Sequence, residues 1–404
     1  MSDTHPARWR MLALLALAEL FGMSLWMAGT AVAPQLQAQW GLDGTQVGIL
    51  MTAVQLGFVV GTATSAVLNL ADVIPARRFF AASAILGAVA NASLVVASDF
   101  SAAVASRFAT GIFLAGVYPP AMKMAATWFR SQRGLAVGTV VGALTIGKAS
   151  PYLINAIPGA GVREVAIAAS ASALLAAALV ATWYHDGPYP FPPRPFSWSL
   201  VGDVLRVREW RLATGGYLGH MFELYSFWAW IPAFLAASAV AHAASVGTGA
   251  PDFRVVSLIS FGVIAFGGAG CVWGGVVADR IGRERLVTIA MAVSGTCALL
   301  VGLTFGASWW IVAPIALAWG FFVIADSAQF SVLVTESVPA HAVGTALTIQ
   351  TSIGFLLTTI TIQLVPPLVE RAGWRWAFVL LALGPAAGSW SIRRLVTWRR
   401  HSQA

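Results

Sequence analysis

The sequence predicts an all-α integral membrane protein of twelve transmembrane helices arranged as two pseudo-symmetric six-helix bundles, and three observations carry that prediction. Hydrophobic residues make up 58% of the 404 residues and charged ones only 10%, against roughly 25% charged in soluble domains. The apolar residues fall into long runs rather than short periodic patches, and a run of about 18 or more is what a bilayer-crossing helix needs. Three short patterns then recur in the second half of the chain, 204, 207 and 212 residues after their first appearance.

Taken in order, the runs lie at roughly 11–33, 45–68, 79–98, 101–123, 134–156, 165–184, 212–236, 254–277, 287–305, 309–332, 342–365 and 376–394. We call them spans one to twelve. Arg8 and Arg10 ahead of span one, with Ala31-Val32-Ala33 at its end, imitate a secretion signal. A signal's apolar core is only about 7–15 residues long; this run is longer and contains Glu19, so it reads as a retained span. Cys271 and Cys297 lie inside spans eight and nine, without metal-ligand spacing or a partner for a disulfide framework. They read as small apolar filler.

The net charge of +8 reflects topology rather than a nucleic-acid ligand. If the N-terminus is cytoplasmic, Arg163, Arg254, Arg371 and Arg375 face outward, Arg107 and Lys148 lie within spans, and the remaining eighteen Lys and Arg face the cytoplasm. Such asymmetry is the positive-inside rule. The expected location is the cell inner membrane, multi-pass, with both termini cytoplasmic.

The repeats divide the spans six and six. Glu19-Leu20-Phe21 with Trp26 returns as Glu223-Leu224-Tyr225 with Trp230; Asp72 with Arg77 and Arg78 returns around Asp279; Ala160-Gly161-Val162-Arg163 returns as Ala372-Gly373-Trp374-Arg375. Between the halves lies the longest hydrophilic stretch, 185–211. Its prolines oppose helix at the start, while Val201 to Trp210 suits a short amphipathic surface helix. The expected domains are 1–184, a central cytoplasmic linker at 185–211, and 212–404.

Between spans eight and nine runs GGVVADRIGRER, Gly274 to Arg285. Its Gly275, Asp279, Arg280, Gly282, Arg283 and Arg285 match G-x-x-x-D-R-x-G-R-x-R, and on that motif the chain resembles the major facilitator superfamily of secondary transporters. The matching loop of the first half is degraded, with Leu68, Val73, Pro75 and Ala76 where the motif has Gly, Arg, Gly and Arg. Only Asp72, Arg77 and Arg78 carry over. Arginines near helix ends can bind both the aspartate and exposed carbonyls, so these residues are expected to form a conformational latch, stronger under span eight than under span two.

Charges inside the bilayer are costly and usually face a cavity. Here they are Glu19 in span one, Arg107 in four, Lys148 in five, His220 and Glu223 in seven, and Asp326 in ten; spans three, six, nine and twelve carry none in their cores. In the facilitator fold, spans one, four, seven and ten line the cavity and three, six, nine and twelve face lipid, so the placement agrees with the resemblance. At about 1.5 Å rise per residue, Glu223 lies roughly 16 Å into span seven and Lys148 roughly 20 Å into span five, a mixed pair near the midplane. Helical spacing sets Trp26 on the Glu19 face, Trp230 beyond Glu223, and Gln329 one turn from Asp326. Arg107 and Gly111 make the R-x-x-x-G pattern that many facilitators carry in span four.

Arg107, Lys148, Glu223, His220, Trp26, Trp230 and Gln329 are therefore the expected substrate-binding set, and Glu19, Glu223 and Asp326 the proton-coupling set. Pro119-Pro120 and Pro151 are expected to bend spans four and five. Gly138, Gly142 and Gly147 should let span five pack closely on a helix of the other half. Neither a nitrate-porter arrangement of arginines in spans two and eight nor the glycine-proline signature of drug antiporters in span five is present. The expected protein is a monomeric, cofactor-free, non-enzymatic transporter of a small organic or inorganic anion in symport with a proton. The alternative is proton-coupled efflux of hydrophobic or cationic compounds.

Overall fold

A computed structural model describes residues 5–129, 132–189 and 196–403. Arg130, Arg194 and most of the proline-rich part of the linker lie outside the described residues, as do the side chains of Asp72 and Arg133. Eleven helices among the described residues are long and apolar enough to cross a membrane: Arg8–Trp40, Gly44–Val67, Ala76–Val96, Phe100–Ala126, Gly134–Asn155, Val162–Trp183, Arg208–Val246, Phe253–Ile281, Arg283–Thr304, Trp309–Ser337 and Ala340–Ala372. The twelfth, Leu383–Gln403, is diluted by Arg393, Arg394, Arg399 and Arg400.

Three expectations about element boundaries are corrected. The continuous run at 376–394 is split into Trp374–Ala377, a 3-10 turn at Val379–Ala382, and the helix from Leu383. Pro385 explains the restart, because proline is accepted in a first helical turn and opposed further in. Span seven is longer than 212–236: one helix of 39 residues runs from Arg208 to Val246, ending on Gly247 in the left-handed region. At 1.5 Å per residue that is about 58 Å, well beyond the roughly 30 Å hydrocarbon core. The surface helix expected at 201–210 covers only Val201–Arg206; the backbone turns extended at Val207, and buried Trp210 belongs to span seven.

Spans one, four and ten are interrupted. Span one breaks at Met23 and Val32, span four over Ala115–Val117, and span ten at Asp326. Pro119 and Pro120 stand in the first turn of the segment Tyr118–Ala126; having no N–H, they cannot bond the carbonyls of Ala115 and Gly116, and the expected disruption of span four falls there. Outside the membrane, Asp99 caps span four: hydrogen bonding from the Ala102 N–H holds its carboxyl below the ordinary carboxylate range.

Backbone packing repeats as the sequence does. A Cβ on Gly111 would overlap the Val54 carbonyl oxygen, and one on Gly320 would overlap that of Val263; Gly61 lies likewise on Ile112 and Gly270 on Phe321. Every residue of the second set stands 209 after its counterpart. The contacts of span two on four are thus the contacts of span eight on ten, in one register. Small residues let helices approach this closely where lipid supplies no hydrophobic drive.

Candidate functional site at the junction of the two halves

Span five brings its charge to span one through Gly147. A side chain there would overlap the Leu20 carbonyl, so the backbones touch beside Glu19 and Lys148. Both residues are buried where these two helices touch. Neither carboxylate oxygen of Glu19 has a hydrogen-bond partner among the described residues. A buried charge must be balanced by an opposite charge or removed by a proton, and at Glu19 Lys148 or a proton serves.

Lys148 Nζ is enclosed by aromatic rings. It lies 4.0 Å from the ring centre of Trp26, 4.6 Å from Trp228 and 4.8 Å from Tyr225, and donates to Tyr225 Oη at 2.9 Å. Trp26 comes from the first half; Tyr225 and Trp228 come from the second. Each cation–π contact contributes about 0.5–2 kcal/mol, more where water is excluded. The Trp228 Nε1 donor and the Gln55 Oε1 acceptor beside this cage are buried without partners among the described residues.

Arg107 is directed elsewhere. Its Nη1 donates to Asn91 Oδ1 at 2.9 Å, and its Nη2 donates to the carbonyls of Leu25 at 3.0 Å and Trp26. Asn91 in turn donates to the Ala166 carbonyl and Ser170. The guanidinium therefore ties spans one, three and four together, and Asn91 extends the tie to span six. Gly111, one turn on, packs against span two.

The acids of the second half form a separate cluster. Ser294 Oγ donates to Glu223 Oε2 and Trp319 Nε1 to Oε1, both at 2.8 Å. Glu223 thus faces spans nine and ten, not Lys148. Tyr225, two residues on and about 200° around the helix, is the side chain that crosses to the other half. His220 Nδ1 contacts Asp326 Oδ1 at 2.9 Å, off the line of a ring N–H hydrogen bond, since that oxygen has no hydrogen-bond partner among the described residues. Tyr217 and Phe330 pack on the imidazole. Gln329 is buried one turn beyond Asp326.

On the face away from the termini, the halves part around a vestibule of about 570 Å³. Its walls include Met51, Ala229, Trp230, Val256, Pro366 and Trp374, with Glu370, Tyr152 and Asn155 among the polar ones. Trp230 Nε1 donates to the Ile362 carbonyl at 2.9 Å, fixing the ring in the wall. Below lies a void of about 10 Å³ bounded by Trp26, Tyr225 and Trp228. Trp26, Phe58, Tyr225 and Phe355 pack on one another with centroids 4.6 to 5.8 Å apart, and Lys148 lines neither the void nor the vestibule.

On the face bearing the termini, spans five and eight close together. A Cβ on Gly138 would lie 2.8 Å from the Cys271 carbonyl oxygen, and one on Gly142 2.7 Å from that of Gly268. The expectation for these two glycines is met; Gly147 instead packs within its own half, on span one, because its position faces Leu20. Gly134 and Gly275 continue the seam, with the Asp279 carboxylate 3.1 Å from the Cβ position of Gly134. Asp279 thereby sits at the N-terminal end of span five, where helix dipole and unpaired N–H groups favour an anion.

Gly282 has φ +90° and joins spans eight and nine, a conformation glycine alone adopts without strain. Arg283 Nη1 lies 3.4 Å from Glu336 of span ten. Arg280 and Arg285 are exposed, as are Arg77 and Arg78; Asp72 falls outside the described side chains. Arg399 of span twelve joins the group, meeting Glu209 at 2.5 Å and Glu284 at 2.6 Å.

Tyr225, Trp228, Gln55, Asn91, Ser294 and Trp319 have no place in the sequence-based site. Aromatic and neutral polar residues are too common in apolar helices to signal by themselves. The spacing of Tyr225 and Trp228, one turn apart on the face opposite Glu223, was the available clue.

A sequence profile of the Major Facilitator Superfamily matches residues 14–362. An uncharacterized MFS-type transporter of Yersinia pseudotuberculosis serotype O:3 (strain YPIII) is 27% identical over 320 residues, 74% of this chain and 77% of its own length. Another, of Yersinia pestis (strain Pestoides F), is 26% identical over the same shares. Among solved structures, a mutant of the nucleoside transporter NupG superposes with a TM-score of 0.71 at 12% identity, over 95% of this chain and 99% of that one. A bacterial homolog of the human lysosomal transporter Spinster, inward-facing and occupied, gives 0.70 at 13%, over 98% of both chains. At these identities the structures support the fold alone.

Proposed function

The chain belongs to the Major Facilitator Superfamily, and on that premise we propose that this multi-pass secondary transporter carries a small anion in symport with a proton. The observation that carries the proposal is Lys148, a buried ammonium at the junction of the halves with one of its three N–H donors hydrogen-bonded among the described residues. An anion entering between the halves would complete its coordination. Glu19, buried beside it without a hydrogen-bond partner among the described residues, is the proposed proton carrier, since proton and lysine are alternative ways of balancing its charge.

In this reading Trp26 and Trp230 form the wall of the path, and Arg107 holds that wall in place. Glu223, His220 and Asp326 serve coupling from within the second half. The GGVVADRIGRER loop latches the face bearing the termini, which we place in the cytoplasm of a cell whose inner membrane holds the protein as a monomer. The linker at 185–211 joins the two six-span domains. One observation favours a second reading, efflux of hydrophobic or cationic compounds: the aromatic faces around Lys148 are also the means by which proteins hold organic cations.

Uptake into proteoliposomes under an imposed inward proton gradient separates the two readings. The expected result is accumulation of an organic or inorganic anion and its loss, by at least tenfold, in Lys148→Ala. Unchanged uptake in that variant, or movement of cationic dyes in place of anions, would overturn the anion reading.

A further inference from the structure

We infer that the transported anion is an organic monocarboxylate with an apolar body about the size of an aromatic ring, seated with its carboxylate between Lys148 Nζ and Trp228 Nε1. The inference rests on the anion reading above and narrows it. Three features of the junction decide the class.

The first is charge. Arg107 is committed to Asn91 and two backbone carbonyls, and His220 to Asp326, which leaves Lys148 as the cation available at the cage. Glu19 is buried on the helix that touches span five next to Lys148, and the Glu370 carboxylate stands in the vestibule above. A second negative charge on the solute would meet no cation and two acids, in surroundings where an unpaired ion costs several kcal/mol. Sulfate, phosphate and dicarboxylates are disfavoured on this ground.

The second is the pattern of donors. Buried indole N–H groups normally find an acceptor, yet that of Trp228, 1% exposed, has none among the described residues. A carboxylate has two oxygens. One can accept from a second N–H of the ammonium while the other accepts from Trp228.

The third is the lining. The vestibule holds about 570 Å³, within the range of pockets for small organic molecules. Apolar and aromatic side chains such as Met51, Ala229, Trp230 and Val256 dominate its wall. A nitrate or halide would leave most of this surface uncovered. An aromatic or branched acid would cover it and pack on Trp230 in its wall.

The test is counterflow of radiolabelled benzoate in proteoliposomes, with phenylacetate, nitrate, succinate and tetraphenylphosphonium as competitors, alongside benzoate-dependent quenching of intrinsic tryptophan fluorescence in the purified native protein. Benzoate should exchange, phenylacetate should compete, and nitrate and succinate should not. Trp228→Phe keeps the ring and removes the donor; it should raise the benzoate KM about tenfold, the loss of one hydrogen bond to a charged group. The native competition and quenching decide the matter if that variant does not fold. Exchange of nitrate or succinate with benzoate inert would overturn the monocarboxylate class and leave the anion reading standing. Movement of tetraphenylphosphonium alone would overturn both. A benzoate KM unchanged in a folded Trp228→Phe protein would overturn the assigned seat.

Discussion

Two seams join the halves, and the duplication relates one to the other. Span five meets span eight backbone to backbone, through Gly134, Gly138 and Gly142 on one side and Gly268, Cys271 and Gly275 on the other. Span eleven meets span two through side chains: Pro366 covers Gly44, Gln363 lies on Gly48, and Phe355 packs on Phe58. Advancing the glycines of span five by the packing register of 209 gives Val343, Leu347 and Thr351. The glycines of span five have no counterpart in span eleven, and the seam they form is the one that carries Asp279 and the intact loop. A close glycine contact has few intermediate positions, whereas a side-chain contact can slide and repack. The five–eight seam is therefore suited to closing fully or parting, and the two–eleven seam to yielding gradually.

The largest effect should come from filling the tight seam. Gly142→Leu, whose Cβ alone would stand 2.7 Å from the Gly268 carbonyl, should cost about 3 kcal/mol of the closed state and abolish uptake in proteoliposomes. Thr351→Leu, at the corresponding place on the other seam, should change uptake less than twofold. Equal losses in both would erase the distinction between the seams. A smaller effect should follow Asp279→Asn. Loss of a charge at a helix N-terminus is worth about 0.3–1 kcal/mol, so opening of the five–eight seam should become about two- to fivefold more frequent. Native Cys271, buried in that seam, reports it in a Cys297→Ser background: its rate of maleimide labelling should rise by the same factor. Gln363→Ala, on the yielding seam, should shift thermal stability by less than about 0.5 kcal/mol and leave that labelling rate unchanged.

The fold was legible because lipid constrains sequence severely. Long apolar runs, the arginine asymmetry and GGVVADRIGRER each depend on residue type alone, and twelve helices in two bundles follow from them. The interruptions were legible in one case: Pro119-Pro120 mark the break in span four, whereas nothing in residue type marks Met23 as one. Which charges meet was only half legible. Glu19 and Lys148 do come together, through a glycine whose neighbour the sequence did not identify. Glu223 and Lys148 do not, since two similar depths in the bilayer say nothing about the direction each side chain takes. Arg107 illustrates the limit most clearly. Its burial was readable, but the carbonyls that engage it belong to the backbone of another span, and backbone leaves no trace in composition.

The break at Met23 acquires meaning from what lies on either side of it. Beyond the break, Ser24–Ala31 is pinned by Arg107 to spans three and four. Before it, Arg8–Gly22 rests on span five at Gly147. Trp26 follows the break and Glu19 precedes it, so the ring over the Lys148 ammonium and the buried carboxylate are carried by different helical segments.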